Sequence, residues 1–415
     1  MPTRACASVG VSSVPEVSGR PRDLVVVTET WPPEVNGVAM TLERLVVGLR
    51  QRGHRVRVVR PRQAGEARGS ESLLDDETLV PGCPIPGYRG LRFGLPAARR
   101  LRAAWRADPP DAVHLVTEGP LGHSALRAAR ALGLPVLAGF HTDFETYARH
   151  YRLAWLAPLV EAMLRRFHNR CDLNLIPTRA LAEHLAARGF VNLGLLARGV
   201  DTRLFHPARR SPELRAAWGA GPEDPVLMHV GRVAPEKDLD RVVEAFRAVR
   251  ARRPRARLVF VGDGPSRARL ERAYPDITFA GVQRGEDLAS HYASADLFVF
   301  ASLSETFGNV VTEAMASGLP ILAFDHAAAH EHVVDRVHGR RVPVTGARAG
   351  DAAAFVQAAV ELAEGFRARP RAREAMGEQA RACAAELDWG AVIARLEQYV
   401  EELLETRSAP ATANG

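Results

Sequence analysis

Lysine is all but missing from this chain. Of its 55 basic residues 54 are arginine, and the one lysine, Lys237, falls in GRVAPEKDLD, residues 231–240. Cysteine is nearly as scarce: Cys6, Cys83, Cys171 and Cys383 stand far apart with no CxxC pair, which excludes a zinc ribbon or a disulfide framework. No apolar run reaches the roughly 20 residues that span a bilayer, and the apolar core ahead of Pro15 is too short and weak for a signal peptide. Together these absences lead us to expect a cytoplasmic protein. Aromatic residues make up only 6% of the chain and no strand-like segment is rich in them. A stacking platform for bases is therefore lacking, and a nucleic-acid partner is not expected in spite of a pI near 9.7.

At 415 residues the chain exceeds one ordinary core, so two domains are the natural expectation. Its composition, 47% hydrophobic and 25% charged, is that of a folded globular protein. The net charge of +7 is uneven, because residues 1–200 hold 27 Arg against 18 Asp and Glu, an excess of +9. That bias suits peripheral contact with an anionic membrane surface or an acidic substrate, and it equally suits arginines that only solvate helix faces.

From residue 23 onward, short β-branched runs alternate with longer amphipathic stretches, the mark of βαβ units around parallel sheets. In the first half, strands are expected at 24–28 (LVVVT), 56–59, 112–116, 135–138 and 173–176, with helices over 37–52 and 152–170. The pattern restarts at 226–230 (VLMHV), with a helix over 238–252 and strands at 258–261, 297–301 and 321–324 around a helix at 310–317. Residues 197–210 read as the connector, dividing an N-terminal domain, 23–199, from a C-terminal one, 200–385. Residues 1–22 and 406–415 read as disordered tails. Residues 62–82 and 81–96 are full of turn formers and are expected as surface loops, and 89–107 reads as a basic amphipathic helix suited to solvent or a membrane surface.

Chemistry gathers at two places in the second half. Gly231 and Arg232 follow a strand directly and Lys237 opens the next helix, at the carboxyl edge where α/β sheets bind ligands. Arg232 with its planar fork and Lys237 as a compact point charge could both reach a diphosphate; the plainer alternative is a chance lysine at a helix start. Next, SETFGNVVTEAMASGLP carries Glu305 in a loop and Glu313 on the following helix, whose N-terminus at Phe307, Gly308 and Asn309 could bind an anion. Two such carboxylates could also be an acid and base for glycoside hydrolysis, or simply solvated. In the first half, His141 in GFHTDFETY ends a strand, as a site residue or a satisfied core histidine, with Asp143 beside it either to orient it or to face solvent. His326 and His330 are spaced for one helix face and with His332 could suggest a metal, but without a fourth ligand none is expected.

GRVAPEK, VGDGP, FAGV and the Glu-x7-Glu segment, in this order, resemble the C-terminal domain of the retaining GT-B glycosyltransferases of family 4. TETWPPEVNGVAMTLERLVVGLRQRGH and the His-Thr-Asp-Phe block resemble its N-terminal domain. Within the family the chain is most similar to bacterial GDP-mannose-dependent α-mannosyltransferases and to diacylglycerol glycosyltransferases. The resemblance implies an α/β protein of GT-B fold, two Rossmann-like domains with a cleft between them, and a helix over 386–405 that crosses back to the N-terminal domain.

The same resemblance assigns roles. Arg232 and Lys237, with Gly231, would meet the donor diphosphate, Glu305 the donor sugar, and Glu313 the ribose hydroxyls. Phe307, Gly308 and Asn309 would act through backbone amides, Gly281 and Val282 would edge the nucleobase, Gly37 would approach the phosphate, and His141 would hydrogen-bond near the reacting sugar. The expected partners are a nucleotide-sugar donor, with mannose from GDP-mannose favoured over UDP-sugars, and a lipid or glycan acceptor. No cofactor and no metal are expected. A nucleotide-sugar epimerase or a phosphorylase of the same fold would share the phosphate contacts.

Overall fold

The computed structural model describes residues 20–32, 37–63, 66, 76–84, 92–141 and 157–408. Residues 1–19 and 409–415, the residues of the glycine loop just before Gly37, and the His-Thr-Asp-Phe block after His141, Asp143 included, lie outside the described residues; of the expected tails, residues 406–408 are instead the last turn of the final helix, which runs to Ser408.

Along the first half run β1 (Asp23–Val27), α1 (Gly37–Gln51), β2 (Arg55–Pro61), β3 (Glu77–Val80), β4 (Gly82–Pro84), β5 (Arg92–Gly94) and α2 (Ala98–Ala107). There follow β6 (Ala112–Leu115), α3 (Pro120–Ala131), β7 (Val136–Gly139), α4 (Ala157–His168), β8 (Leu173–Ile176), α5 (Arg179–Ala187) and β9 (Leu193–Leu195). The second half runs α6 (Pro212–Ala217), β10 (Val226–Val230), α7 (Leu239–Arg252), β11 (Arg257–Val261), α8 (Arg267–Ala273), β12 (Thr278–Gly281) and α9 (Gly285–Ser294). It ends with β13 (Leu297–Phe300), α10 (Asn309–Ala316), β14 (Ile321–Phe324), α11 (Ala327–His332), β15 (Gly339–Val342), α12 (Arg348–Ala368), α13 (Pro370–Ala385) and α14 (Trp389–Ser408).

The chain forms two compact units. One holds the described residues up to Arg198 together with Trp389–Ser408, and the other is Gly199–Asp388. In the first, a seven-stranded parallel sheet has the order β3-β2-β1-β6-β7-β8-β9. Its interior strand β1 is apolar on both faces from Leu24 to Val27 because helices cover both. Leu24 and Val26 pack with Leu42, Leu45 and Leu49 of α1, while Val25 and Val27 pack with Leu101 and Trp105 of α2 and Leu121 of α3.

Helix α14 belongs to this unit. Ile393, Leu396, Tyr399 and Val400 join the core of α1, and Gly48 is bare where Ile393 presses, since a Cβ there would come within 2.0 Å of it. Glu397 pairs with Arg52 and His54, and the Tyr399 hydroxyl donates to the Leu195 carbonyl at 3.1 Å. The last helix thus completes the core of the first unit.

The second unit holds a six-stranded parallel sheet, order β12-β11-β10-β13-β14-β15. Leu227 on one face packs with Val242 and Phe246 of α7 and Phe355 of α12; Met228 and Val230 on the other pack with Tyr292 of α9 and Met315 of α10. In each sheet the first strand lies between strands reached in opposite directions, and ligand crevices open at the carboxyl ends of such strands.

The expectation for residues 62–107 needs correcting. The turn-rich stretches carry β3, which extends the sheet beside β2, and the antiparallel pair β4–β5. The basic helix begins only at Ala98, because Gly82 pairs with Gly94 and Pro96 follows it. That helix buries Leu101 and Trp105 and leaves Arg99, Arg100, Arg102 and Arg106 exposed. Among the described residues, no helix is long and apolar enough to cross a membrane.

Candidate active site

The chain leaves β10 through Gly231, whose φ of +149° is open to glycine at little cost. Arg232 and Val233 follow, and a single 3-10 turn, Pro235–Lys237, leads into α7. A second loop, VGDGP, locks this one in place: Gly231 N–H donates to the Val261 carbonyl at 3.0 Å and Val233 N–H to the Asp263 carbonyl at 2.9 Å. The approach is so close that a Cβ on Gly262 would lie 1.9 Å from the Gly231 carbonyl oxygen, and one on Gly264 2.5 Å from that of Val233. Two glycines therefore hold the arginine and lysine loop rigidly against the sheet edge.

Both cations of that loop have carboxylate partners. Lys237 Nζ forms an ion pair with Glu305, and Arg232 with Glu236, which is buried. Burial by itself would raise the Glu305 carboxyl; the Lys237 charge and hydrogen bonds from Lys237 and Ser302 outweigh it and hold the group below the usual range. Glu305 is thus a carboxylate at neutral pH. Ser304 ties the two loops together, its hydroxyl donating to the Glu236 carbonyl at 3.1 Å. His326 adds a hydrogen bond to the Glu305 carbonyl at 3.0 Å.

Past Glu305, Phe307 turns its ring into the core beside His332, so it can serve a ligand only through its backbone. Gly308, at φ +91°, caps α10, and Asn309 is that helix's first residue. This arrangement sets the positive end of a helix dipole next to Glu305 and Lys237. Further along α10, the Tyr292 hydroxyl donates to Glu313 Oε2 at 2.9 Å. Burial pushes the Glu313 carboxyl up to about 7, with the Tyr292 bond opposing it. At the neighbouring sheet edge, Gly281, at φ +71°, accepts from Gly262 N–H at 2.8 Å, and Val282 is exposed.

The remaining expected residues belong to the first unit. Gly37 is the exposed first residue of α1. His141 follows β7, and its ring folds back so that Nε2 would lie 2.3 Å from a Cβ on Gly139. Arg198, only 6% exposed, donates to His141 Nδ1 at 3.0 Å. Burial first, and then the Arg198 charge, holds the His141 pKa well below the usual value.

Sequence reasoning passed over several of these groups. Glu236 lies inside GRVAPEK without a signal of its own, though four residues after Arg232 it sits at helical pairing distance. Glu29, two residues past the end of β1 in TETWPP, accepts from Leu121 N–H at 3.0 Å, and burial pushes it up to about 7. Tyr292 and Arg198 carried no local signal. The three clustered histidines part company: His326 serves the Glu305 carbonyl, His330 pairs with Asp325 at 2.7 Å, and burial lowers His332 to about 4. No cluster of potential metal ligands occurs among the described residues.

A cation loop, a carboxylate and a helix N-terminus at one sheet edge can bind a diphosphate and the hydroxyls beside it. Comparison with known proteins identifies the family. The model of Glycosyltransferase Family 4 matches residues 35–204 and that of Glycosyl transferases group 1 residues 224–365. A GDP-mannose-dependent alpha-mannosyltransferase of Mycobacterium tuberculosis is 39% identical over 77% of this chain and 84% of its own. A sulfoquinovosyl transferase of Arabidopsis thaliana is 34% identical over 74% of this chain and 61% of its own. Sucrose-phosphate synthase from Thermosynechococcus elongatus shares the fold at TM-score 0.73 and 18% identity, over 93% of this chain and 100% of that one. On its sequence in both halves and on its two parallel-sheet units, the chain belongs to glycosyltransferase family 4 and is a glycosyltransferase of GT-B fold.

Proposed function

We propose that this glycosyltransferase moves mannose from GDP-mannose to a lipid or glycan acceptor, with retention at the anomeric carbon and without a divalent metal. The observation that carries the choice of donor is the 39% identity to a GDP-mannose-dependent alpha-mannosyltransferase over most of both chains. In this reading Arg232 and Lys237 neutralise the diphosphate, so that charge developing on the leaving nucleoside diphosphate meets a preorganised cation. Lys237 exchanges part of its contact with Glu305 for the phosphate, and Glu305 turns to a sugar hydroxyl. Glu313 takes the ribose hydroxyls, and the backbone of Phe307, Gly308 and Asn309 supports sugar and phosphate. Gly281 and Val282 edge the base, and Gly37 and His141 take the phosphate and sugar contacts that the family resemblance assigns to them.

Retention follows if the acceptor attacks from the face the diphosphate leaves, within an ion pair, with the diphosphate taking the acceptor proton. A double displacement would instead need a carboxylate nucleophile at the anomeric carbon. The exposed arginines of α2 and the basic bias of residues 1–200 support an acceptor at an anionic membrane surface. A second reading, transfer from a UDP-sugar to diacylglycerol, is favoured by the 34% identity to the sulfoquinovosyl transferase.

Turnover of GDP-mannose, UDP-glucose, UDP-galactose and UDP-glucuronate, with EDTA and with mannosides, phosphatidylinositol or diacylglycerol vesicles, separates these readings. Acceptor-dependent GDP release from GDP-mannose that survives EDTA supports the first. UDP release with diacylglycerol replaces it by the second.

A further inference from the structure

We propose that Arg198 is a positioning residue that sets the state of His141, keeping the ring neutral with its single proton on Nε2. The inference deepens the reading above, in which His141 hydrogen-bonds near the reacting sugar. It starts from the chemistry of the pair. A guanidinium can only donate, and it stays charged at every pH a protein meets. Because Arg198 donates to Nδ1 at 3.0 Å, that nitrogen must carry a lone pair, and the ring's proton must reside on Nε2.

This reverses the familiar arrangement in which a carboxylate accepts from Nδ1–H and stabilises the imidazolium. Here a cation faces the ring, so His141 can offer a proton from Nε2 but cannot take one at Nδ1 without losing Arg198. The surroundings press the same way. Arg198 comes from the stretch after β9, His114 from β6 and His168 from α4, and each disfavours a second proton on His141. Arg198 is 6% exposed, so the contact is not screened as a surface pair would be. Gly139 supplies the seat, because any Cβ at that position would displace Nε2.

The consequence is a histidine that acts as a fixed hydrogen-bond donor to a sugar oxygen and does not titrate through the physiological range. A donor of this kind orients substrate and stabilises a negative oxygen, whereas a general base would need a free lone pair near neutral pH.

The test is NMR of the full chain with 15N-labelled histidine, the His141 ring being assigned by its loss in His141→Gln, over pH 5 to 8. The expected result is a pyrrole-type Nε2 and a pyridine-type Nδ1 that do not shift across that range. In Arg198→Met the ring should become a mixture of tautomers and titrate at higher pH. The transfer rate should then fall by about tenfold or more and gain a new acid limb, the kind of loss seen when a site histidine takes the wrong tautomer. Arg198→Lys, which keeps an obligate donor and a charge, should restore much of the wild-type spectrum. A wild-type His141 that titrates between pH 5 and 8, or that carries its proton on Nδ1, overturns the inference even if Arg198→Met fails to fold. If the spectra are as expected but His141→Gln transfers sugar at the wild-type rate, it is the catalytic reading of His141 that fails, and the tautomer assignment stands.

Discussion

Lys237 and Glu305 lie 68 residues apart in sequence and meet as an ion pair at the carboxyl edge of the second sheet, each side chain less than one-fifth exposed. The pair explains why this position holds the chain's only lysine. A compact ammonium on a flexible stem can serve Glu305 and a phosphate in turn, where a guanidinium would be held in a planar fork. Lys237→Ala should lower kcat/KM by about 10²–10³-fold, the usual loss when one group that stabilises transition-state charge is removed. Lys237→Arg should recover only a small part of that loss. Steady-state nucleoside diphosphate release, with circular dichroism to confirm folding, checks both.

Glu313 gives a pH signature. Its carboxyl is raised from 4.5 to about 7 in the folded protein. A raised carboxyl stabilises the fold fully below pH 4.5, and that contribution is lost as the pH rises through 7. Glu29 is raised to about 7 as well and acts in the same direction, whereas His114, His229 and His332, lowered to about 4, favour the fold as pH rises from 4 to 6.5. The clean readout is therefore the difference between wild type and Glu313→Gln. In thermal melts from pH 4.5 to 8, wild type should lose stability relative to the variant as the pH rises.

Gly262→Ala should unseat the cation loop. The new Cβ would collide with the Gly231 carbonyl, and φ of +135° is itself strained for alanine. The conformation alone costs about 1–3 kcal/mol. Nucleoside diphosphate binding should be lost in calorimetry while the first unit stays folded.

Leu396 tests the dependence of the first unit on the last helix. It is 2% exposed and packs in the core of α1 and β1. Leu396→Ala should cost about 2–5 kcal/mol in denaturant unfolding, the range for a truncated core leucine. A chain ended after Asp388 should leave the first unit unfolded, with hydrogen exchange reporting loss of protection in β1 and α1.

The legible parts of the sequence were those where a local pattern suffices. VLMHV and ILAF, and likewise LNLI, form strands with the limits their largely apolar runs suggested, because strands inside a sheet are buried on both faces. Edge strands hid themselves: β15 is GRRV, and β3 follows a polar stretch, since one side of each meets no further strand. The site showed the same division. Lys237 and Glu305 could be singled out from their motifs, but were given separate roles, diphosphate and sugar, while their mutual contact is a matter of tertiary packing. Tyr292 under Glu313 and Arg198 on His141 are partners brought by other elements, 21 and 57 residues away, with nothing local to mark them.

The central claim is that the Arg232 and Lys237 loop binds a nucleoside diphosphate. Calorimetry of GDP, UDP and ADP with the wild-type chain, in EDTA, and with Arg232→Ala and Lys237→Ala tests it most directly. The account predicts that one of them, GDP in the favoured reading, binds the wild type and that both substitutions abolish or strongly weaken that binding. Nucleotide bound equally well by the wild type and both variants would contradict it.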